Sequence, residues 1–232
     1  MNELDFGGKQ VLVVGGSSGI GNGIAQAFRA KGARVAVYGT RAQASDYSAE
    51  EGSHLDGLAY AQLDVSDPKA IESLTPSFDR LDVLVLAQGA VIYRRGEFEM
   101  EGFRKVLEVN LMSLMACATK FHAMLSASQG SLIIVSSTAA YHSTMGNPAY
   151  NASKTGAVGL TRTLGEAWAE NGIRVNGIAP GLVGDGLRIG DVEADPVHPV
   201  RPVLNHRIEH GAELGQVPHL HVEDLRRDEA RH

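Results

Sequence analysis

Short apolar runs alternate with segments of helical spacing along most of the chain. Five runs rich in Val, Ile and Leu predict buried parallel strands: QVLVVGG, ARVAVYGT, LDVLVLAQG, GSLIIVSS and IRVNGIAPG. The segments GIAQAFRAKG, FRKVLEVNLMSLMACATKFHAML and KTGAVGLTRTLGEAWAENG lie between them and predict helices. This alternation predicts an α/β fold, a single doubly wound parallel sheet of the Rossmann type. Ligands of such sheets bind beyond the carboxyl ends of the strands.

The bulk composition narrows the function classes. The chain has 232 residues, of which 44% are hydrophobic, enough to bury a core. A net charge of -6 gives no general attraction to nucleic acid or to an anionic membrane. The first residues, MNELDFGGKQ, resemble neither a secretory signal nor a membrane span, so we expect a cytoplasmic protein. The only cysteine, Cys117, lies in an apolar helical pattern and is expected to be a packing residue.

The end of the first predicted strand carries a signal for a dinucleotide. In VVGGSSGIG, Gly15, Gly19 and Gly21 follow an apolar run and open a helix. Glycine lets the backbone approach a pyrophosphate, and the start of the helix offers free N–H groups to its negative charge. A glycine-rich turn without a ligand is the alternative reading of this loop.

The stretch AYNASKTG places Tyr150 and Lys154 four positions apart. In a helix these two residues lie on one face, so the ammonium group can approach the phenol. A free tyrosine has a pKa of about 10, and a nearby positive charge favours the phenolate. The pair can therefore exchange protons near neutral pH, although an ordinary surface pair has the same spacing.

Taken together, the glycine loop and the Tyr150-x-x-x-Lys154 motif resemble the short-chain dehydrogenase/reductase family over about residues 9–183. The resemblance implies hydride transfer between a nicotinamide cofactor and a ketone or secondary alcohol. It also implies four catalytic residues. Tyr150 is the general acid/base and Lys154 tunes it, Ser137 holds the substrate oxygen, and Asn110 helps to hold a water for proton relay. A turn cap is the alternative for Ser137, and a buried asparagine bonded to its own helix is the alternative for Asn110.

The resemblance also implies the cofactor site. Asp64 matches the residue that recognises adenine, and Pro180 with Gly181 matches the turn under the nicotinamide. Where the family has Thr before the first glycine this chain has Val14, and Leu86-Ala87-Gln88-Gly89 replaces Asn-Asn-Ala-Gly. The full set of expected cofactor contacts is Gly15, Ser17, Ser18, Gly19, Ile20, Gly21, Thr40, Arg41, Asp64, Val65, Ala87, Gly89, Tyr150, Lys154, Pro180, Gly181 and Val183.

The end of the second strand indicates which cofactor is preferred. Family members that prefer NAD place an acid there, which binds the ribose and repels a 2′-phosphate. This chain has Gly39, followed by Thr40 and Arg41. A hydroxyl and a guanidinium suit a phosphate, so we expect NADP to be preferred over NAD. A solvated loop charge is the alternative for Arg41.

The resemblance stops after Val183. Residues 184–232 contain no Ser, Thr, Lys, Met, Phe, Trp or Tyr, and Pro196, Pro199, Pro202 and Pro218 interrupt regular structure. We expect a catalytic domain at 1–183 and a largely disordered tail at 184–232, with a change of reading frame as one explanation. The family's final strand would then be missing and activity weak. A homodimer through the long helices carrying Asn110 and Tyr150 is the expected assembly.

Two other functions remain open from the sequence. The segment from His206 to His210, HRIEH, fits the H-x-x-E-H pattern of inverted zinc proteases, but neighbouring histidines make a chance match easy. The main reading needs no metal. The second alternative is a non-catalytic nucleotide-binding protein that keeps the fold.

Overall fold

A computed structural model describes residues 5–49 and 52–181. Its sheet has six parallel strands: β1 (Gln10–Val14), β2 (Arg34–Gly39), β3 (Ala59–Gln62), β4 (Val83–Leu86), β5 (Ser131–Val135) and β6 (Arg174–Ile178). They lie in the order β3-β2-β1-β4-β5-β6. The order reverses between β1 and β4, which is where doubly wound sheets bind ligands. The predicted fold class is confirmed.

Five helices connect the strands: α1 (Gly19–Ala30), α2 (Pro68–Ser73), α3 (Met100–Leu107), α4 (Ser113–Ser128) and α5 (Pro148–Ala167). A π-helical turn, Glu108–Met112, joins α3 to α4 without a break. The single long helix predicted from FRKVLEVNLMSLMACATKFHAML is therefore two α-helices with a wider turn between them. Such turns often occur at functional sites.

The apolar runs predicted every strand except β3. Its sequence, AYAQ, is partly exposed along its whole length, so it lacks the continuous apolar run of a buried strand. The other five strands begin and end within the predicted runs. Strand β3 is recognisable only through its register with β2, in which Val37 pairs with Tyr60.

The two faces of the sheet form separate cores. Because side chains alternate along a strand, Leu12 and Val14 of β1 face one side while Val11 and Val13 face the other. The first side packs against α2, α4 and α5, and the second packs against α1. Cys117 is fully buried in the first core, which confirms its packing role, and burial raises the pKa of its thiol to about 12.

Strand β6 lies at the edge of the sheet formed by the described residues. Of its residues only Val175 is partly buried, and the side chain of Ile178 is 41% exposed. The expectations for the tail at 184–232, for its HRIEH segment and for Val183 lie outside the described residues. Within residues 5–49 and 52–181, no helix is long and apolar enough to cross a membrane.

Asp82 links the amino-terminal ends of β1 and β4 to each other. These ends lie at the edge of the sheet opposite the carboxyl ends, where the glycine loop lies. Its carboxylate accepts hydrogen bonds from the Arg80 guanidinium at 2.7 Å, from the Gln10 backbone N–H at 3.0 Å and from the Lys9 ammonium at 3.2 Å. The side chain is only 5% exposed. These bonds, above all those from Arg80, hold the pKa of Asp82 well below its usual range.

We predict that Asp82→Asn lowers the free energy of unfolding at pH 7 by roughly 1–2 kcal/mol, because it removes charge-assisted hydrogen bonds. A lowered carboxyl pKa stabilises the folded chain above the unfolded pKa of about 4 and loses that effect as the pH falls further. The difference between wild type and variant should therefore shrink below pH 4. Urea unfolding at several pH values measures this. Asp79→Asn, at an exposed neighbour, is the matched control; an equal effect there would contradict the role of Asp82.

Candidate active site

A cleft of about 460 Å³ opens at the carboxyl ends of the strands, around the point where the strand order reverses. Most of the residues predicted from the sequence line it: Gly15, Ser17, Ser18, Ile20, Gly21, Thr40, Val65, Ala87, Gly89, Ser137, Tyr150, Lys154, Pro180 and Gly181. Gly19, Arg41, Asp64 and Asn110 do not line its wall. The fold thus gathers residues from seven separate segments of chain at one opening.

The glycine loop packs backbone against backbone. Gly15 has a φ of +75°, and its N–H donates to the Tyr38 carbonyl at 2.9 Å. A methyl group on Gly15 would lie 2.6 Å from the backbone nitrogen of Gln88, and one on Gly21 would lie 2.1 Å from the Gly15 carbonyl oxygen. A methyl group on Gly19 would instead meet nothing within 4 Å. The loop is therefore tight against the sheet and open in front of α1, as a cradle for phosphates requires.

Tyr150 and Lys154 lie one turn apart near the start of α5. Pro148 occupies the first position of this helix, where its missing N–H leaves no bond unmade. The Lys154 Nζ atom is 5.7 Å from the centroid of the Tyr150 ring and donates to the Val135 carbonyl at 3.0 Å. Lys154 is only 4% exposed, and its burial lowers its pKa to about 8. The ammonium group is thus held beside the phenol.

Ser137 follows β5. Its position agrees with both interpretations from the sequence, a residue that holds the substrate oxygen and a turn cap. Its Oγ accepts the Ala139 N–H at 3.1 Å as the cap of a short 3₁₀ turn, and the residue also lines the cleft. Because Oγ acts as an acceptor in the cap, its own proton can still be donated to another acceptor. The preceding Ser136 donates to the Lys154 carbonyl at 2.8 Å, which joins the end of β5 to α5.

Asn110 lies in the π-helical turn and is fully buried. Its Oδ1 accepts the Ala90 N–H at 2.6 Å, while its Nδ2 donates to the Ala90 carbonyl at 2.8 Å and to Ser153 Oγ at 3.2 Å. These partners belong to the segment after β4 and to α5, not to the helix of Asn110 itself. The residue therefore joins three segments behind the cleft wall.

The end of β2 contains a contact that the sequence did not reveal. A methyl group on Gly39 would lie 2.5 Å from the Tyr47 hydroxyl and 2.5 Å from Ser17 Oγ. Tyr47 therefore covers the position at which an NAD-preferring chain would carry its acid. The Arg41 guanidinium carbon lies 4.5 Å from the centroid of the Tyr47 ring, and its Nη1 donates to the Asp46 carbonyl.

Asp64 is exposed and forms a local turn. Its Oδ1 accepts the Ser66 hydroxyl at 2.7 Å and the Ser66 N–H at 2.9 Å. These two bonds, the hydroxyl first, hold the pKa of its carboxyl below the usual value. Contact with adenine stays a prediction for Asp64, while the adjacent Val65 lines the cleft.

Several lining residues had no signal in the sequence. They are Tyr38, Leu63, Ala90, Val91, Val109, Val135 and Ser136, which are mostly apolar or come from loops of ordinary composition. Gln88 Nε2 donates to Ser113 at 3.0 Å, while its buried Oε1 finds no hydrogen-bond partner within the described part of the chain. Glu97, which contacts the Tyr150 backbone, was also missed because it lies in the polar run RRGEFEMEG.

No group of three or more His, Cys, Asp or Glu side chains capable of holding a metal occurs within residues 5–49 and 52–181. The zinc-protease reading rests on HRIEH, which lies outside these ranges. The chemistry that the cleft offers is instead a phenol, an ammonium, a hydroxyl and a phosphate cradle.

Comparison with known proteins agrees with this arrangement. The sequence matches the family described as short chain dehydrogenase over residues 9–192. It is 34% identical over 191 residues to D-threitol dehydrogenase of Mycolicibacterium smegmatis, covering 78% of this chain and 73% of that one. It is 32% identical over 193 residues to 3-oxoacyl-(acyl-carrier-protein) reductase FabG of Escherichia coli, covering 78% and 75%.

Among solved structures, the Pseudomonas aeruginosa RhlG/NADP active-site complex superposes with a TM-score of 0.67 at 28% identity, covering 80% of this chain and 77% of that one. The family match ends at residue 192, nine residues beyond residue 183, at which the resemblance seen in the sequence ends. The chain belongs to the short-chain dehydrogenase/reductase family and is an NAD(P)-dependent oxidoreductase.

Proposed function

We propose that the chain transfers hydride between NADP(H), or less well NAD(H), and a ketone or secondary alcohol, with Tyr150 as the general acid/base. The observation that carries this proposal is the opening of Tyr150, Lys154 and Ser137 into the same cleft as the glycine loop. A non-catalytic nucleotide-binding protein would need the loop but not the other three residues.

The cradle fits a dinucleotide. The backbone N–H groups at the start of α1, together with Ser17 and Ser18, would hold the pyrophosphate. Gly89, Pro180 and Gly181 would border the nicotinamide end. When bound, the nicotinamide supplies or accepts the hydride, which is chemistry that no side chain provides.

The side chains supply the proton and orient the substrate. In the reductive direction, Ser137 and Tyr150 would donate hydrogen bonds to the ketone oxygen. As the carbonyl carbon gains hydride, its oxygen develops into an alkoxide and takes the Tyr150 proton, which yields the alcohol. The charge of Lys154 favours the phenolate that remains, and in alcohol oxidation each step is reversed.

Asn110 supports this arrangement from behind the cleft. Its amide holds the Ala90 backbone and the Ser153 hydroxyl, and Ser153 Oγ donates to the Tyr150 carbonyl at 2.7 Å. We propose that Asn110 helps to hold a water in a relay that, after reduction, returns a proton to the Tyr150 phenolate by way of Lys154. Lys154 and Asn110 border the same space beside Gly89. A methyl group on Gly89 would lie 3.6 Å from Lys154 Nζ and 3.8 Å from Asn110 Oδ1, which supports the relay.

We further propose that two chains associate through the helices that carry Asn110 and Tyr150. Met112, the last residue of the π-helical turn, and Met115, in the first turn of α4, are 56% and 42% exposed, which leaves apolar surface on this part of the molecule. Burying such side chains between two copies is favourable.

The roles of the two motif residues can be separated by substitution. Tyr150→Phe should lower turnover to a small residual rate while cofactor affinity is kept, because only the transferable proton is lost. Lys154→Ala should weaken both, since the charge acts on the phenol and on the cofactor ribose. Absorbance of the reduced nicotinamide with a panel of ketones and alcohols measures turnover, and fluorescence titration measures affinity. Substantial turnover by Tyr150→Phe would refute the mechanism and favour another acid.

Burial of Lys154 predicts an unusual dependence of stability on pH in the cofactor-free protein. Its pKa of about 8 lies below the unfolded value of about 10.4, so between these pH values the unfolded chain holds more protons and stability rises with pH. The wild type should gain on the order of 3 kcal/mol relative to Lys154→Met between pH 7 and pH 10.5. Urea unfolding at a series of pH values measures the gain. Lys69→Met changes an exposed lysine and should show no such trend; parallel curves for wild type and Lys154→Met would contradict the prediction.

The cofactor preference is tested by titrating the protein with NADPH and NADH. We expect tighter binding of NADPH, because Gly39 presents no acid to a 2′-phosphate and Thr40 and Arg41 present a hydroxyl and a cation. Arg41→Ala should weaken NADPH binding and leave NADH binding unchanged. Comparable affinities for the two cofactors in the wild type would rule out the preference, and an equal effect of Arg41→Ala on both would remove Arg41 from it.

A further inference from the structure

Glu97 is a fully buried carboxylate whose hydrogen bonds converge on the start of α5. It lies in the 3₁₀ turn Gly96–Phe98 and is 0% exposed. Its Oε2 accepts the backbone N–H of Tyr150 at 2.9 Å. Its Oε1 accepts the Ile92 N–H at 3.1 Å and the Asn147 Nδ2 at 3.2 Å. Both carboxyl oxygens are therefore occupied by donors.

The surroundings of the Glu97 side chain suit a carboxylate, because they offer only hydrogen-bond donors to its two oxygens. Burying a charged group is unfavourable unless hydrogen bonds replace its water, and here three amide donors do so. The N-terminus of the 20-residue helix α5 adds the positive end of a helix dipole. Asn147, which precedes the helix, also donates to the Ile92 carbonyl at 3.2 Å, so the segment after β4 and the start of α5 are tied to one another around Glu97.

The bond to Tyr150 bears directly on the reaction. Tyr150 N–H is one of the first amides of α5, which have no partner within the helix. Once Glu97 accepts this N–H, the backbone from which the phenol projects is fixed to the loop after β4, and that loop also contributes Ala90 and Val91 to the cleft wall. The proton donor and the wall that faces the substrate therefore share one anchor.

We propose that Glu97 is a positioning residue for catalysis, which acts through Tyr150 and sets the place of its phenol relative to Ser137. This assignment rests on the proposed role of Tyr150 as general acid/base. Glu97 lies outside the family motifs and does not touch the reacting atoms.

Glu97→Gln tests the assignment sharply because it preserves shape and removes one acceptor. A glutamine that keeps its oxygen beside Ile92 and Asn147 turns its NH₂ group toward the Tyr150 N–H, which is a contact between two donors. The reverse orientation leaves two donors unpaired. In the better orientation the disturbance falls on Tyr150. A displacement of about 1 Å at a catalytic group can lower turnover by about 100-fold.

The experiment compares wild type, Glu97→Gln, Tyr150→Phe and the double variant, using a ketone from the panel that the wild type reduces. We expect Glu97→Gln to lower kcat by about 10- to 100-fold, with substrate KM and NADPH affinity little changed. In the Tyr150→Phe background the same substitution should cause no further loss, because the group through which it acts is gone. Glu166→Gln, an exposed glutamate on the same helix, is the matched control and should leave kcat unchanged.

Each other outcome overturns the assignment in a distinguishable way. A wild-type kcat in Glu97→Gln refutes the positioning role alone. An equal further loss in the Tyr150→Phe background shows a structural role only. Substantial turnover in Tyr150→Phe, or no turnover by the wild type on any panel substrate, refutes the proposed function and this inference together. If Glu97→Gln does not fold by circular dichroism, Glu97→Asp takes its place; it keeps the charge but retracts it by one methylene, and an unchanged kcat would again refute the role.

Discussion

The contact between the loop after β1 and the loop after β4 is the constraint on which the rest of the molecule depends. At Gly15 the two backbones approach so closely that a single methyl group would collide with Gln88 and Ala87. This approach is possible only because β1 and β4 are neighbours in the sheet, in register from Val11 with Val83 to Val14 with Leu86. The carboxyl ends of the two strands thereby form the floor of the cleft. Every other functional group is placed relative to that floor.

Helix α5 carries Tyr150 and Lys154 to this floor and is fastened by hydrogen bonds at two places. Toward the sheet, Ser136 bonds the Lys154 carbonyl and Lys154 Nζ bonds the Val135 carbonyl, so the helix is fixed to the end of β5. At its start, Glu97 accepts the Tyr150 N–H. An anion thus lies at the positive end of the helix and an ammonium group lies one turn inside it. Burying that ammonium lowers its pKa to about 8, because desolvation disfavours the charged form.

The sequence predicted those elements and site residues whose pattern is local along the chain. The apolar runs indicated β1, β2, β4 and β5 because a buried parallel strand needs continuous apolar residues. Of the two outer strands, β6 was found because its sequence still contains Val175 and Ile178, whereas β3, with the sequence AYAQ, was missed because it contains no Val, Ile or Leu. The glycine loop and the tyrosine-lysine pair were recognisable because their spacing is short. Glu97 and Tyr47 were not, since their importance comes from partners 53 and 30 positions away, Tyr150 for Glu97 and Ser17 for Tyr47. Nothing in the runs RRGEFEMEG or RAQASDYSAE distinguishes these two residues from solvated ones.

The π-helical turn shows how such distant contacts are produced. A regular α-helix from Met100 to Ser128 would present its side chains at a constant angle, and one wider turn at Glu108–Met112 changes that angle locally. Asn110 can then bond the Ala90 backbone on one side and Ser153 on the other. Leu111, beside it, packs where Gly156 leaves room, since a methyl group there would lie 2.8 Å from the leucine side chain. The irregular turn therefore lets one helix contact both the segment after β4 and α5. Because Glu97 joins the same two segments through Ile92 and Tyr150, the start of α5 is tied to the segment after β4 by two separate sets of hydrogen bonds.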